Sequence, residues 1–169
     1  MNYYGPSNMA ESWRTVRRNT VQVAEDIPED KYSYRASADT MSVAELLAHL
    51  AATPTWAEQC HFVKKTTAIT MEDFGAFMGE VGKASAALTT KAAIVDALKA
   101  SGEAFAKGLD GMTDAQLGEA VTLPNGSKTR FEMLLGVKEH EMHHRAQLFL
   151  IERMIGIVPH LTRARMARQ

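Results

Sequence analysis

Apolar residues recur every three or four positions through four long stretches of the chain, and a sequence spaced that way has few options other than packed α-helices. The first stretch runs from about Ser7 to Asp26, with Met9, Trp13, Val16, Thr20, Val23 and Ile27 separated by 4, 3, 4, 3 and 4 residues. The second opens at Ser42, with Glu45 three positions on in the form of a capping box. Its seam reads Leu46, His49, Thr53, Trp56, Cys60, Val63, and Pro54 is expected to kink or split it because proline removes a backbone donor. The third begins near Thr90, an N-cap residue, carries Ile94, Leu98, Ser101 and Phe105, and ends around Gly108 to Gly111. The fourth begins at Thr129 with Glu132 three positions later. Its seam is Met133, Val137, His140, His144, Gln147, Ile151, Met154, and it stops at Gly156 ahead of Pro159. The pattern predicts an all-α, four-helix bundle.

At 169 residues one domain is expected, and a chain of this length can form a core without disulfides or a structural metal. The connections Ile27 to Met41 and Asp110 to Lys128 read as moderate loops, the latter with a Pro124-Asn125-Gly126 turn. The long connection between helices 2 and 3, Thr66 to Thr89, has room for a short helix around Met71 to Met78 and can cross the bundle. In the tail, Arg163, Arg165 and Arg168 stand without acid partners and read as a solvated charge cluster. Met9, Met133 and Met154 fall on the seams, as gap fillers.

Nineteen Lys and Arg against twenty Asp and Glu leave a formal charge of -1, which argues against nucleic acid as a partner. Met1 to Ala10 have no basic region followed by an apolar run, so no signal peptide is expected. No apolar run approaches the roughly 18 residues of a membrane span, and a cytoplasmic protein with no membrane partner is the expectation. The single Cys60 cannot pair internally. It lies three turns past His49, about 16 Å along the axis, and reads as core.

The anomaly is in the seams. The stripe of the fourth helix should be apolar throughout, yet its middle reads His140, His144, Gln147. Residues at i and i+4 share a face with Cβ atoms about 6 Å apart, the separation at which two imidazoles grip one cation. His49 interrupts the stripe of the second helix in the same way. Three neutral imidazoles converging inside a bundle are costly unless something satisfies them. A divalent metal is one solution; mutual hydrogen bonding among core histidines is the other. Zn(II), Ni(II), Fe(II) and Cu(II) all accept imidazole.

His140-Glu141-Met142-His143-His144 also fits H-E-x-x-H, the zinc-protease helix whose Glu is a general base. Against that, Gln147 and Leu150 stand where the longer protease motif has Gly and His, and no acidic residue follows Glu152. A third ligand would have to come from upstream. His143 lies about 100° around the helix from His144 and is expected to face a neighbouring helix or solvent. Glu45 could orient His49, but its capping-box role is the preferred reading. Gln147 could orient a bound water or substrate, and Thr53 and Trp56 would line a cavity if Pro54 opens the helix. Arg145 lies off the seam and is expected to pair at the surface.

Ser42-Val-Ala-Glu-Leu-Leu-Ala-His49-Leu50, together with His140-Glu-Met-His-His144-Arg-Ala-Gln147-Leu148, resembles the DinB-like (damage-inducible) superfamily of metal-binding four-helix bundles. The Tyr34-Arg35-Ala-Ser-Ala-Asp lead into the second helix is similar too, and Arg-Ala-Gln replaces the Arg-Gly-Gln that is frequent there. The resemblance implies an up-down-down-up course, a divalent transition metal on His49, His140 and His144 (zinc first, nickel or iron as alternatives) and a homodimer. It also implies a thiol-dependent transferase, or a related hydrolase or isomerase, using a low-molecular-weight thiol cosubstrate and a small-molecule electrophilic substrate. Three protein ligands leave an open position, as catalytic sites do. The alternatives are a non-catalytic metal-binding stress-response protein and a bundle whose histidines satisfy one another.

Overall fold

The computed structural model describes residues 4–168; the first three residues of the Met1 to Ala10 stretch lie outside them. The chain is mostly helical. Helix α1 (Pro6–Asp26) is followed by a single 3-10 turn, Glu29–Lys31, and then by α2 (Val43–Ala52) and α3 (Pro54–Ala57). A π-helical turn, Glu58–Val63, continues α3, and α4 (Met71–Ala86), α5 (Lys91–Asp110) and α6 (Asp114–Gly118) come next. The chain then forms a hairpin of β1 (Ala120–Leu123) and β2 (Gly126–Thr129), the long helix α7 (Arg130–Met154) and a closing α8 (His160–Met166). Among the described residues no helix is long and apolar enough to cross a membrane.

The expected helix starts are built as their sequences dictate. Ser42, Thr90 and Thr129 each accept a backbone N–H three residues on, and Glu45 and Glu132 return the bond to complete capping boxes. Helix α1 packs along α5 and against α7, while α2 packs on α5 and is flanked by α4. One apolar cluster joins Val23, Leu47, Ile94, Leu98, Leu148 and Ile151; a second joins Trp13, Ala57, Phe105, Leu109, Leu134 and Val137.

Pro54 divides the expected second helix into α2 and α3 without turning the chain away. Thr53 keeps helical angles, and the chain runs through α3 into the π turn. Proline does deprive the Leu50 carbonyl of its usual donor four residues on. Arg17, buried in α1, supplies that donor with an N–H at 3.1 Å. The π turn inserts one residue and shifts the helical phase. His61 is therefore buried, whereas Val63, placed on the seam by simple α-helical spacing, is 65% exposed.

The structure corrects several other expectations. The short helix around Met71 to Met78 extends to Ala86, with Val81 as its one buried residue. The turn at Pro124-Asn125 closes a two-stranded antiparallel hairpin, in the register Ala120↔Thr129 to Leu123↔Gly126, so the fold is not purely α. Neither strand shows a clean apolar alternation; Val121 alone is buried. The C-terminal arginines are not all free of acids, because Arg163 pairs with Asp26 of α1. The buried stripe of α7 runs Leu134, Val137, Glu141, Leu148, Ile151, about one position round from the expected seam, and this leaves Gln147 and Met154 exposed.

Candidate metal centre

That rotation decides where the histidines lie. His49, His140 and His144 are half-buried at an edge of the helical packing rather than in its middle. His49 comes from the last turn of α2, and His140 and His144 come from successive turns of α7. The Nε2 atom of His140 lies 3.1 Å from Nε2 of His49 and 3.1 Å from Nε2 of His144. Their rings stand nearly edge-on to one another, with centroids 4.5 to 5.2 Å apart.

The protons do not balance without a further group. His144 Nδ1 is 2.8 Å from the Gln147 carbonyl oxygen, so Nδ1 carries a hydrogen and, in the neutral ring, Nε2 is bare. Burial, and then His144, His49 and His143, pushes His140 down to about 4, while burial and His144 lower His49 as well. Both are neutral at pH 7. If His140 Nε2 is protonated it can donate to only one of its two neighbours; if it is bare it faces the bare His144. At least one of the 3.1 Å contacts therefore cannot be a hydrogen bond. A cation between them removes the conflict. Zn–N bonds of 2.0–2.1 Å imply N···N edges of about 2.9 Å at octahedral and about 3.4 Å at tetrahedral angles. The observed edges fall between the two, so the three residues fit a divalent metal.

The surroundings fix the ligands and leave the site accessible. The Gln147 amide is the hydrogen-bond partner that sets the His144 tautomer, an arrangement common behind metal-binding histidines. His143 is exposed, beside Gln147, as its angular position on the helix requires. Thr53 donates its hydroxyl hydrogen to the His49 carbonyl at 2.7 Å and stands 3.4 Å from His49 Nε2. A cleft of about 800 Å³ between α2, α4 and the Arg35–Met41 loop reaches His49. A second, of about 330 Å³, reaches His144 and Gln147, and both share Thr40 and Met41 as wall.

Trp56 is not brought to the histidines. Its ring lies against His61 and Phe77 and lines a separate apolar cavity with Phe74 and Met133. Glu45 closes the α2 cap and accepts from Arg35 at 2.7 Å. Cys60 is free and buried against Ile69 and Val121. Arg145 is half-buried and donates to the Val16 carbonyl instead of pairing at the surface. Glu141, the would-be general base of H-E-x-x-H, turns into the core and pairs with Arg17 at 2.7 Å. Sequence reasoning missed Arg17. The available signal was Pro54, whose orphaned partner carbonyl had to find a donor.

A mostly helical fold carrying three convergent histidines at an accessible edge defines a class of candidate metal proteins. The family model of the DinB superfamily matches residues 12–148, a span that includes all three histidines, and the chain belongs to that superfamily. Its fold is similar to that of a DinB-like protein from Bacillus subtilis, at TM-score 0.67 and 22% identity, over 88% of this chain and 91% of that one. A DinB-family candidate from Exiguobacterium sibiricum is similar at TM-score 0.64 and 22% identity, over 92% and 94% of the two chains. No curated protein matches.

Proposed function

We propose that the chain is a metal-dependent enzyme that transfers a small thiol to an electrophilic substrate, or performs a related hydrolysis or isomerisation. The observation that carries this reading is the convergence of three imidazole nitrogens beside two clefts. His49, His140 and His144 would hold the metal, with zinc the first choice and nickel or iron the alternatives. Bound there, a divalent cation lowers the pKa of a thiol or water and supplies a nucleophile near neutral pH.

The chain's own groups have separable tasks. Gln147 holds His144 in the Nδ1–H tautomer, which keeps Nε2 available. The Thr53 hydroxyl has already donated its hydrogen, so its lone pairs are free to accept from an incoming S–H or O–H beside His49. The large cleft pairs Met41, Ala48 and Leu88 with the polar Arg35 and Thr40, a lining suited to a small molecule with an apolar body and one polar end. We place the enzyme in the cytoplasm as a one-domain homodimer, its long helices in the up-down-down-up course.

A turnover assay tests this reading, with cysteine as thiol and a chromogenic aryl halide as electrophile. Metal-loaded protein is expected to accelerate thioether formation, and His144→Ala to abolish the acceleration. Equal rates for the two proteins contradict the mechanism. Stoichiometric metal without turnover would instead mark a non-catalytic metal-binding protein.

A further inference from the structure

The π turn and the two residues that flank the hairpin, Glu119 and Arg130, line a second polar cavity, of about 460 Å³, at the C-terminal end of α5. None of the residues lining it lines either cleft at the histidines. Two of its wall residues, His61 and Arg130, are 2% and 1% exposed. Arg130 is held on three sides: it donates Nε–H to Glu119 at 2.8 Å, an NH1 hydrogen to His61 Nδ1 at 3.2 Å and an NH2 hydrogen to the Lys65 carbonyl at 2.9 Å. A guanidinium has five N–H groups, so two remain uncommitted.

The contact with Arg130 also fixes the histidine. Arginine can only donate, so His61 Nδ1 must accept and Nε2 must carry the hydrogen. Burial and the charge of Arg130 hold the ring down to about 4, so it is neutral at pH 7. That Nε2–H is buried and has no partner in the protein. A buried donor without an acceptor is costly, and it is maintained here by unusual backbone. His61 sits in the π turn, where Lys64 N–H reaches back to the Gln59 carbonyl. Lys65, whose carbonyl receives Arg130, has a left-handed φ of 50°. Such departures gather where a site requires them.

The charge of the cavity identifies what would complete it. Glu119 balances Arg130. Lys65 and Lys107 add two ammonium groups to the wall, and neither forms an ion pair among the described residues. We infer that this cavity is a second binding site, separate from the three histidines, for a small ligand carrying anionic oxygens. Its oxygens would accept from the spare N–H groups of Arg130, which His61 Nδ1 helps to hold in place, with Lys65 and Lys107 neutralising its charge. A carboxylate and a phosphate share this chemistry.

The test follows the His61 ring nitrogens by NMR in the full-length protein, titrated with sodium phosphate and, separately, sodium acetate at constant ionic strength. Saturable 1:1 binding of one anion, with Nδ1 of His61 shifting through its bond to Arg130 and the His144 ring unmoved, is expected. The anion that saturates at lower concentration identifies the source. Lys65→Gln combined with Lys107→Gln, both at exposed positions that spare the fold, should weaken binding about tenfold or more. No saturable shift with either anion overturns the inference. So does a shift that the lysine substitutions leave unchanged, or one shared with His144. Because the readout needs neither metal nor turnover, its failure leaves the proposed enzyme activity standing, and the converse also holds.

Discussion

Arg17 and Glu141 form an ion pair at 2.7 Å with both side chains at most 4% exposed, and the arginine's other bonds reach every long helix around it. From α1, Arg17 donates to the Leu50 carbonyl of α2, to the Leu98 carbonyl and Ser101 hydroxyl of α5, and to Glu141 of α7. The partners adjoin the histidines in sequence: Leu50 follows His49, and Glu141 follows His140. The α5 backbone approaches closely because residue 102 is glycine; a Cβ there would lie 2.4 Å from Arg17 Cγ.

Glu141→Gln keeps the shape of the side chain but leaves a buried guanidinium without its countercharge. Breaking a buried pair from one side costs about 3–5 kcal/mol. Urea denaturation should show a loss of that order, with activity per folded, metal-loaded molecule largely retained. A protease-type general base would behave in the opposite way, with stability kept and turnover lost.

Gln147 is exposed, so replacing it should barely change stability. Gln147→Leu removes the acceptor for His144 Nδ1–H, and losing such a supporting bond typically weakens metal affinity by about 10–100-fold. Competition against a chromophoric chelator measures the change directly. An unaltered affinity would mean that the tautomer of His144 is set by something else.

Two buried groups give the metal-free fold opposing pH dependences. His61 is lowered from 6.5 to about 4 by burial and then by Arg130. Below pH 6.5 the unfolded chain takes up a proton that the folded one refuses, so the stability present above 6.5 is lost as pH falls towards 4. Glu152 is fully buried, both carboxylate oxygens are unpartnered, and burial raises it from 4.5 to about 7, with Asp26 adding to the rise. Its contribution is complete below 4.5 and is lost as pH rises through 7. The two windows overlap and oppose each other, so denaturation from pH 4 to 8 should show His61→Phe removing the loss of stability between 6.5 and 4 on acidification and Glu152→Gln removing the loss between 4.5 and 7 as pH rises.

Much of this was legible in the sequence. The mostly helical fold, the caps at Ser42, Thr90 and Thr129 and the three histidines followed from spacing, because helix periodicity and capping chemistry are local. What was not legible depends on phase and on partners distant in the chain. The extra residue of the π turn moved Val63 outward and His61 inward. A rotation of about one position in α7 exchanged Gln147 for Glu141 on the buried face. An Arg in α1 and a Glu in α7 each look solvated when read alone, and only their pairing makes either a core residue. The hairpin escaped because its strands are four residues long and mostly exposed.

The central claim is that His49, His140 and His144 hold one metal ion, and elemental mass spectrometry on untagged protein, wild type beside His140→Ala, tests it most directly. The account predicts about one divalent transition metal per chain in the wild type and its loss in the variant, since His140 is the imidazole that contacts both of the others. Wild-type protein that stays free of metal when supplied with zinc, nickel and iron, or a variant that retains its full complement, would contradict it.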